Sequence, residues 1–184
     1  MITPTQIANA TGSTLMRAAN WAQPLQEAMD YYEIDTPERQ AAFLAQIGHE
    51  SDHLEFTVEI WGPTVAQRGY EGRVDLGNLD PGDGYRYRGR GLIQITGHAN
   101  YIAARRGMSD IAGLPDFELQ PDALAAPRWA AMSAAWYWKH HGLNDLADAG
   151  EFETITRRIN GGENGEPQRL ALWSCAKDAM GCNT

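Results

Sequence analysis

Glu50 closes an apolar run, Ala42-Phe43-Leu44-Ala45-Gln46-Ile47, and is followed at once by Ser51, Asp52 and His53. Burial beside Phe43 and Ile47 and the negative end of a helix dipole would both disfavour its anion. A carboxyl that keeps its proton near neutral pH is what general acid catalysis requires. The plainer alternative is a solvated glutamate in a last helical turn. Cleaving a glycosidic bond also needs a second carboxylate, and the following segment offers Asp52, Glu55, Glu59, Glu71 and Asp75. Spacing does not choose among them. Glu59, flanked by Phe56, Val58, Ile60 and Trp61, is expected in a partly apolar wall.

The same segment spells a second chemistry. His49-Glu50-Ser51-Asp52-His53 fits the HExxH pattern letter for letter. On a helix this pairing puts two imidazoles on one face for zinc, with the glutamate as base of a metallopeptidase. Two features weigh against it: no third ligand is obvious, and the helix is expected to fray at Ser51–Asp52.

Tyr85-Arg86-Tyr87-Arg88-Gly89-Arg90-Gly91-Leu92-Ile93-Gln94-Ile95-Thr96-Gly97 combines flat tyrosine faces, short polar side chains and glycines that let backbone approach a ligand closely. The mixture suits a sugar better than a phosphate. Neither GxxxxGK[ST] nor GxGxxG is present, and no strand-to-helix context surrounds it.

These residues need elements to hold them. Trp21, Leu25, Met29 and Tyr32 recur at helical steps, and Pro24 places the regular start of that helix near Trp21. Thr36-Pro37-Glu38 reads as a cap, a first-turn proline and an acid at the positive end of the dipole, opening the helix that ends at Glu50. Residues 52–90 are rich in glycine and read as ordered loop, with at most a small hairpin around Tyr85–Ile95. Helices are expected again over 98–106, 121–141, 151–159 and 166–179.

The 184 residues suit one domain, 1–184, and the net charge of -9 argues against a nucleic-acid partner, whose phosphates call for a basic face. No apolar run approaches the ~20 residues of a membrane span, so no stable membrane insertion is expected. The opening MITPTQIANATGST has neither a basic start nor an apolar stretch, so no secretory signal is expected. Cys175 and Cys182, without a nearby histidine pair, read as partly buried small side chains.

Three blocks, Ala42–Ser51, Tyr87–Gly97 with Asn100-Tyr101, and Thr156–Gly162 with Asn164-Gly165, resemble glycoside hydrolase family 19, in its phage endolysin and bacterial lysozyme-like branch. They run in the family's order over nearly the whole chain, which makes the five-letter zinc match a coincidence. The resemblance implies a mainly α, lysozyme-like fold of two lobes, needing no metal or cofactor, and hydrolysis with inversion. It implies Glu50 as general acid, Glu59 as general base and Thr96 as a holder of the water. His49, Tyr87, Arg88, Gln94, Asn100, Tyr101 and Asn160 would line the substrate cleft, and Arg158 would pair with or orient the acids. The sequence departs from the family's pattern at Ile60-Trp61-Gly62-Pro63. The implied activity is that of a monomeric endolysin cutting β-1,4 bonds of peptidoglycan strands, made in a host cytoplasm and reaching the wall on release. Chitin, which shares the N-acetylglucosamine motif, is the alternative substrate.

Overall fold

Threonine caps start the first three helices. The structure, a computed structural model, describes residues 1–182. Thr3, Thr14 and Thr36 lie in extended backbone and accept hydrogen bonds from the amides of Gln6, Arg17 and Arg39. They open α1 (Pro4–Thr11), α2 (Leu15–Tyr31) and α3 (Pro37–Glu50). The start expected near Trp21 is therefore corrected. The cap at Thr14 begins α2 earlier, and Pro24 sits inside the helix.

The middle of the chain is irregular. It holds two four-residue helices, α4 (Val65–Arg68) and α5 (Asp83–Arg86), and one 3-10 turn, Val74–Leu76. Around Tyr85–Ile95 the expected hairpin is reduced to one antiparallel pair, Arg90 with Ile95, with no regular strand. Two isolated antiparallel bridges, Val58 to Arg90 and Arg90 to Ile95, join three short lengths of extended chain. Regular helix returns with α6 (His98–Gly107), α7 (Pro127–His140), α8 (Leu143–Asp148), α9 (Phe152–Asn160) and α10 (Glu166–Met180). The helix expected over 121–141 is split. Pro121–Ala125 is 3-10, and Ala126 is extended at φ -67 and ψ 142, as the residue before Pro127 must be. The short α8 was not legible, since Leu143 and Ala147 are its only buried apolar residues.

α3 is the axis of the helical lobe. Every residue from Ala41 to Gly48 is buried, and the helix packs against α1, α8 and α10. Gly48 permits this. A Cβ there would lie 2.8 Å from the Thr11 Cα, so α1 crosses α3 in backbone contact half a turn before Glu50. The Trp21, Leu25 and Met29 stripe of α2 faces the core and packs on α7, which in turn carries α6 and the loop-rich lobe. Cys175 is exposed, contrary to the expectation of partial burial. Among the described residues no helix is long and apolar enough to cross a membrane.

Replacing Thr36 by alanine removes the cap that fixes the start of α3. Unfolding in urea should show a loss of about 1 kcal/mol, and an unchanged midpoint would mean the cap is redundant with Pro37.

Candidate active site

Glu50 is held by a buried cation. Its side chain is 19% exposed, and its Oε1 accepts from Arg169 Nη2 at 2.5 Å. Arg169, on α10 and only 3% exposed, also donates from Nη1 to Gln46 Oε1 at 2.5 Å and from Nε to the Asn164 carbonyl at 3.2 Å. Gln46 passes its amide hydrogen to Thr156 Oγ1 on α9 at 2.8 Å. The expected role of Arg158 is therefore corrected. Arg158 donates to the His141 carbonyl at 2.9 Å, and it is Arg169 that pairs with the acid. Arg169 shares a helical stripe with Leu172, Ala176 and Ala179, so an arginine on an apolar stripe was the available signal.

Ser51 ends α3 by bonding backward and forward. Its hydroxyl donates to the Ile47 carbonyl at 2.6 Å and accepts from the Leu54 amide at 2.9 Å. Asp52, His53 and Leu54 then all take left-handed backbone, with φ 49, 60 and 63. His53 Nδ1 lies in hydrogen-bonding contact with the Thr11 carbonyl at 2.7 Å. His49 and His53 thus do not share a helical face, and the HExxH spelling does not become a zincin geometry. Among the described residues no three His, Cys, Asp or Glu side chains converge as a metal site.

Glu59 sits in a different setting. Its Oε1 accepts from Gln67 Nε2 at 2.9 Å and from the Tyr70 hydroxyl at 3.2 Å, and its Oε2 accepts from the Gly89 amide at 3.0 Å. The Glu59 amide returns a bond to the Gly89 carbonyl at 2.8 Å. Burial and the charge of Glu59 push the Tyr70 hydroxyl up from its ordinary value. A Cβ on Gly89 would meet Gln94 Oε1 at 2.7 Å, Thr96 Oγ1 at 3.2 Å and Glu59 Cβ at 3.3 Å. Glycine at 89 is needed for room, and three of the expected site residues converge on that one missing side chain. Gln67 and Tyr70 gave no signal in the sequence, because they lie in a segment without period.

Gln94, Thr96 and Asn100 line a groove of about 370 Å³ with Tyr137, His141 and Ile159. Gln94 holds left-handed backbone at φ 55. Glu59 neighbours Gln94 and Thr96 across the space a Cβ on Gly89 would fill. Burial first, then the charge of Glu50, push the Tyr137 hydroxyl up.

Five expected cleft residues lie elsewhere. Tyr101 is fully buried, its hydroxyl between Arg90 Nη1 at 2.8 Å and the Arg88 carbonyl at 2.6 Å, and burial pushes it up to about 12. Tyr87 is buried and stacks on His98 with ring centroids 4.3 Å apart. His49 lines a separate hollow with His53, Gln168 and Leu172, under Gly165. Arg88 reaches a different concavity, which it shares with Arg86. Asn160 uses its amide within its own loop, donating to the Asn164 carbonyl at 2.9 Å and accepting from the Gly162 amide at 2.7 Å. That leaves it supporting the carbonyl that holds Arg169.

Burial, and then the charge of Arg169, push His49 below its ordinary value. The unfolded chain then takes up a proton near pH 6.5 while the folded chain resists it. Stability from this site is complete above that pH and is lost as pH falls through the lower folded value. His49→Gln should flatten the fall in unfolding free energy between about pH 7 and pH 5. An unchanged slope in paired denaturation curves would show that His49 does not contribute.

No family model matches the chain. A glycosyl hydrolase family 19 domain-containing protein of Haemophilus influenzae is 35% identical over 168 residues, covering 73% of this chain and 76% of that protein. Two endochitinases of Arabidopsis thaliana are 38% and 36% identical over 124 and 139 residues, and the chain spans only 39% and 44% of their lengths. Chitinase C from Streptomyces griseus superposes with a TM-score of 0.75 at 22% identity, covering 100% of this chain and 78% of that one. A bacterial family 19 chitinase gives 0.75 at 21% identity, with 99% and 96% covered. At such identities the solved structures establish the shared helical fold. The bacterial relative, matched over most of its own length, establishes that the chain belongs to glycosyl hydrolase family 19 and is a glycoside hydrolase.

Proposed function

We propose that this hydrolase cuts β-1,4 bonds in the glycan strands of bacterial peptidoglycan by inverting acid/base catalysis, with Glu50 as acid and Glu59 as base. The observation that carries the pair is the contrast in how the two glutamates are held. Glu50 presents Oε1 to Arg169, which leaves Oε2 for the glycosidic oxygen of the leaving sugar. Glu59 accepts three hydrogen bonds. An ionised carboxylate has about four acceptor positions, so one remains to take a proton from water. Thr96, beside Gly89 and bonded from its hydroxyl to the Gln94 carbonyl at 2.9 Å, is suited to orient that water. Inversion follows if the water attacks opposite the bond that Glu50 protonates, which needs carboxyl groups ~6.5–9.5 Å apart.

Chitin is the second reading, and the Arabidopsis relatives named endochitinases favour it. Peptidoglycan is preferred because Arg86 and Arg88, at a concavity apart from the groove of Gln94 and Thr96, donate to backbone carbonyls and make no ion pair, a feature a neutral polymer does not use. The proposed setting is phage-mediated lysis, with the monomeric enzyme reaching the wall after release from the host cytoplasm. Digesting purified peptidoglycan and chitin side by side, with mass analysis of the products, decides between the polymers.

Glu50→Gln should lose turnover by at least ~10²–10⁴-fold while melting normally, since the amide keeps the shape but has no proton to give. Glu59→Gln should also lose turnover yet still bind oligosaccharide, and the first wild-type product should be the α-anomer by NMR. A β-anomer would falsify inversion. Gly89→Ala forces Gln94 aside, and because displacements of about 1 Å can cost ~10²-fold in rate, kcat should drop steeply in a folded protein. Wild-type kcat in that variant would remove Gly89 from the account.

A further inference from the structure

A second concavity lies apart from the groove that Gln94 and Thr96 line. It is a hollow of about 820 Å³ beside α5, lined among others by Tyr85, Arg86, Arg88, His98, Glu118 and Asp122. Arg86 is exposed and Arg88 half-buried. Both are positioned by neutral acceptors. Arg86 Nη2 donates to the Glu118 carbonyl at 2.7 Å, and Arg88 Nη1 to the Tyr85 carbonyl at 3.0 Å. Asp122 pairs with the buried Arg90 at 2.6 Å, and Glu118 contacts both His98 and Arg105 at 3.3 Å. Asp83, also at the hollow, accepts from the Asp80 amide at 3.0 Å. Two guanidinium groups outside any ion pair thus stand fixed at one concavity of a chain whose net charge is -9.

The hollow is tied to the proposed base by a line of rings. The Arg88 guanidinium lies 4.1 Å from the centre of the Tyr85 ring, which meets Trp61 edge-on at 5.2 Å. Trp61 lies 6.3 Å from Tyr70, whose hydroxyl donates to Glu59 at 3.2 Å. Flat faces at that spacing suit sugar rings, and Trp61 belongs to the segment where the sequence departs from the family's pattern.

We propose that Arg86 and Arg88 bind a carboxylate carried as a side group on the glycan, so that this hollow selects acidic strands over neutral ones. The inference rests on the peptidoglycan reading and names the part of the substrate that is recognised. A guanidinium pairs with carboxylate through two parallel hydrogen bonds, which fixes direction as well as charge. On peptidoglycan the carboxylate comes from one of two sources: the stem peptide, or the lactyl group where the peptide has been removed.

The test compares wild type with the Arg86→Gln/Arg88→Gln double variant on intact peptidoglycan, on amidase-stripped strands and on a neutral N-acetylglucosamine hexamer. The KM on intact peptidoglycan, taken relative to that on the hexamer, should rise about tenfold, the size of one charge-assisted hydrogen bond. The gap should shrink at high salt. A rise on intact material alone identifies the stem-peptide carboxylates, and a rise on stripped strands as well shows that the lactyl carboxylate, an amide in intact material, is accepted too. Equal KM changes on acidic and neutral substrates, or none, overturn the proposal while the peptidoglycan reading stands. Should the double variant melt early, Arg86→Lys/Arg88→Lys, which keeps charge but loses the fork, replaces it with the same expected direction. A wild type that cuts the hexamer and leaves peptidoglycan intact sinks the peptidoglycan reading instead. Calorimetric titration with muramyl dipeptide then decides the carboxylate site, and binding no tighter than that of diacetylchitobiose overturns it.

Discussion

Arg169 is a guanidinium with almost no access to water, and the arrangement of four elements follows from what it must be given. Taking such a charge out of water costs several kcal/mol unless acceptors replace the solvent. Three do: Glu50 and Gln46 from α3, and the Asn164 carbonyl from the turn before α10. Gln46 extends the network to Thr156 on α9, and Asn160 braces the same Asn164 carbonyl. Moving Glu50 without moving α10 would leave a buried cation short of its anion. The position of the acid is therefore set by a packing requirement of the helical lobe.

The strain next to Glu50 makes sense in that light. Three consecutive non-glycine residues in left-handed backbone cost on the order of 1–3 kcal/mol each, and they persist because surrounding contacts over-determine them. Ser51 bonds to both sides of the turn, His53 contacts the end of α1, and Arg17 of α2 reaches the His53 carbonyl at 3.0 Å and pairs with Glu55. The helix is stopped abruptly at Glu50, so the carboxylate belongs to the last turn and the chain leaves at once for the loop that carries Glu59.

Helices with a cap and a stripe were legible. Thr36-Pro37 marked α3 to the residue, and the stripe from Trp21 to Met29 marked the buried face of α2. α8, with too few apolar positions to show a period, was not, and Pro24 misled because a tertiary packing surface can carry a proline that local rules would expel. In the site, motif residues without long-range partners were placed well: Gln94, Thr96 and Asn100 share one groove. Those whose partners lie far along the chain were not. Tyr101 is buried by Arg90, and Arg158 is replaced by Arg169, because which arginine meets Glu50 depends on how α10 lies on α3. No local pattern encodes that.

The second acid shows why the middle of the chain is neither helix nor sheet. In a regular strand, position 89 could carry a side chain and its amide would pair with another strand. Here that amide goes to the Glu59 carboxylate, and the space a Cβ would fill is shared by Gln94 and Thr96. A backbone this thin has few contacts of its own, so it needs rigid neighbours. Arg90, one residue on, supplies them: it is buried and donates to the Arg86 carbonyl at 2.7 Å, to Tyr101 and to Asp122. The buried tyrosine and arginine of the motif thus serve the glycine between them. Residues that looked from their types like sugar-binding groups are instead what allows backbone to stand where a sugar-binding group would otherwise be.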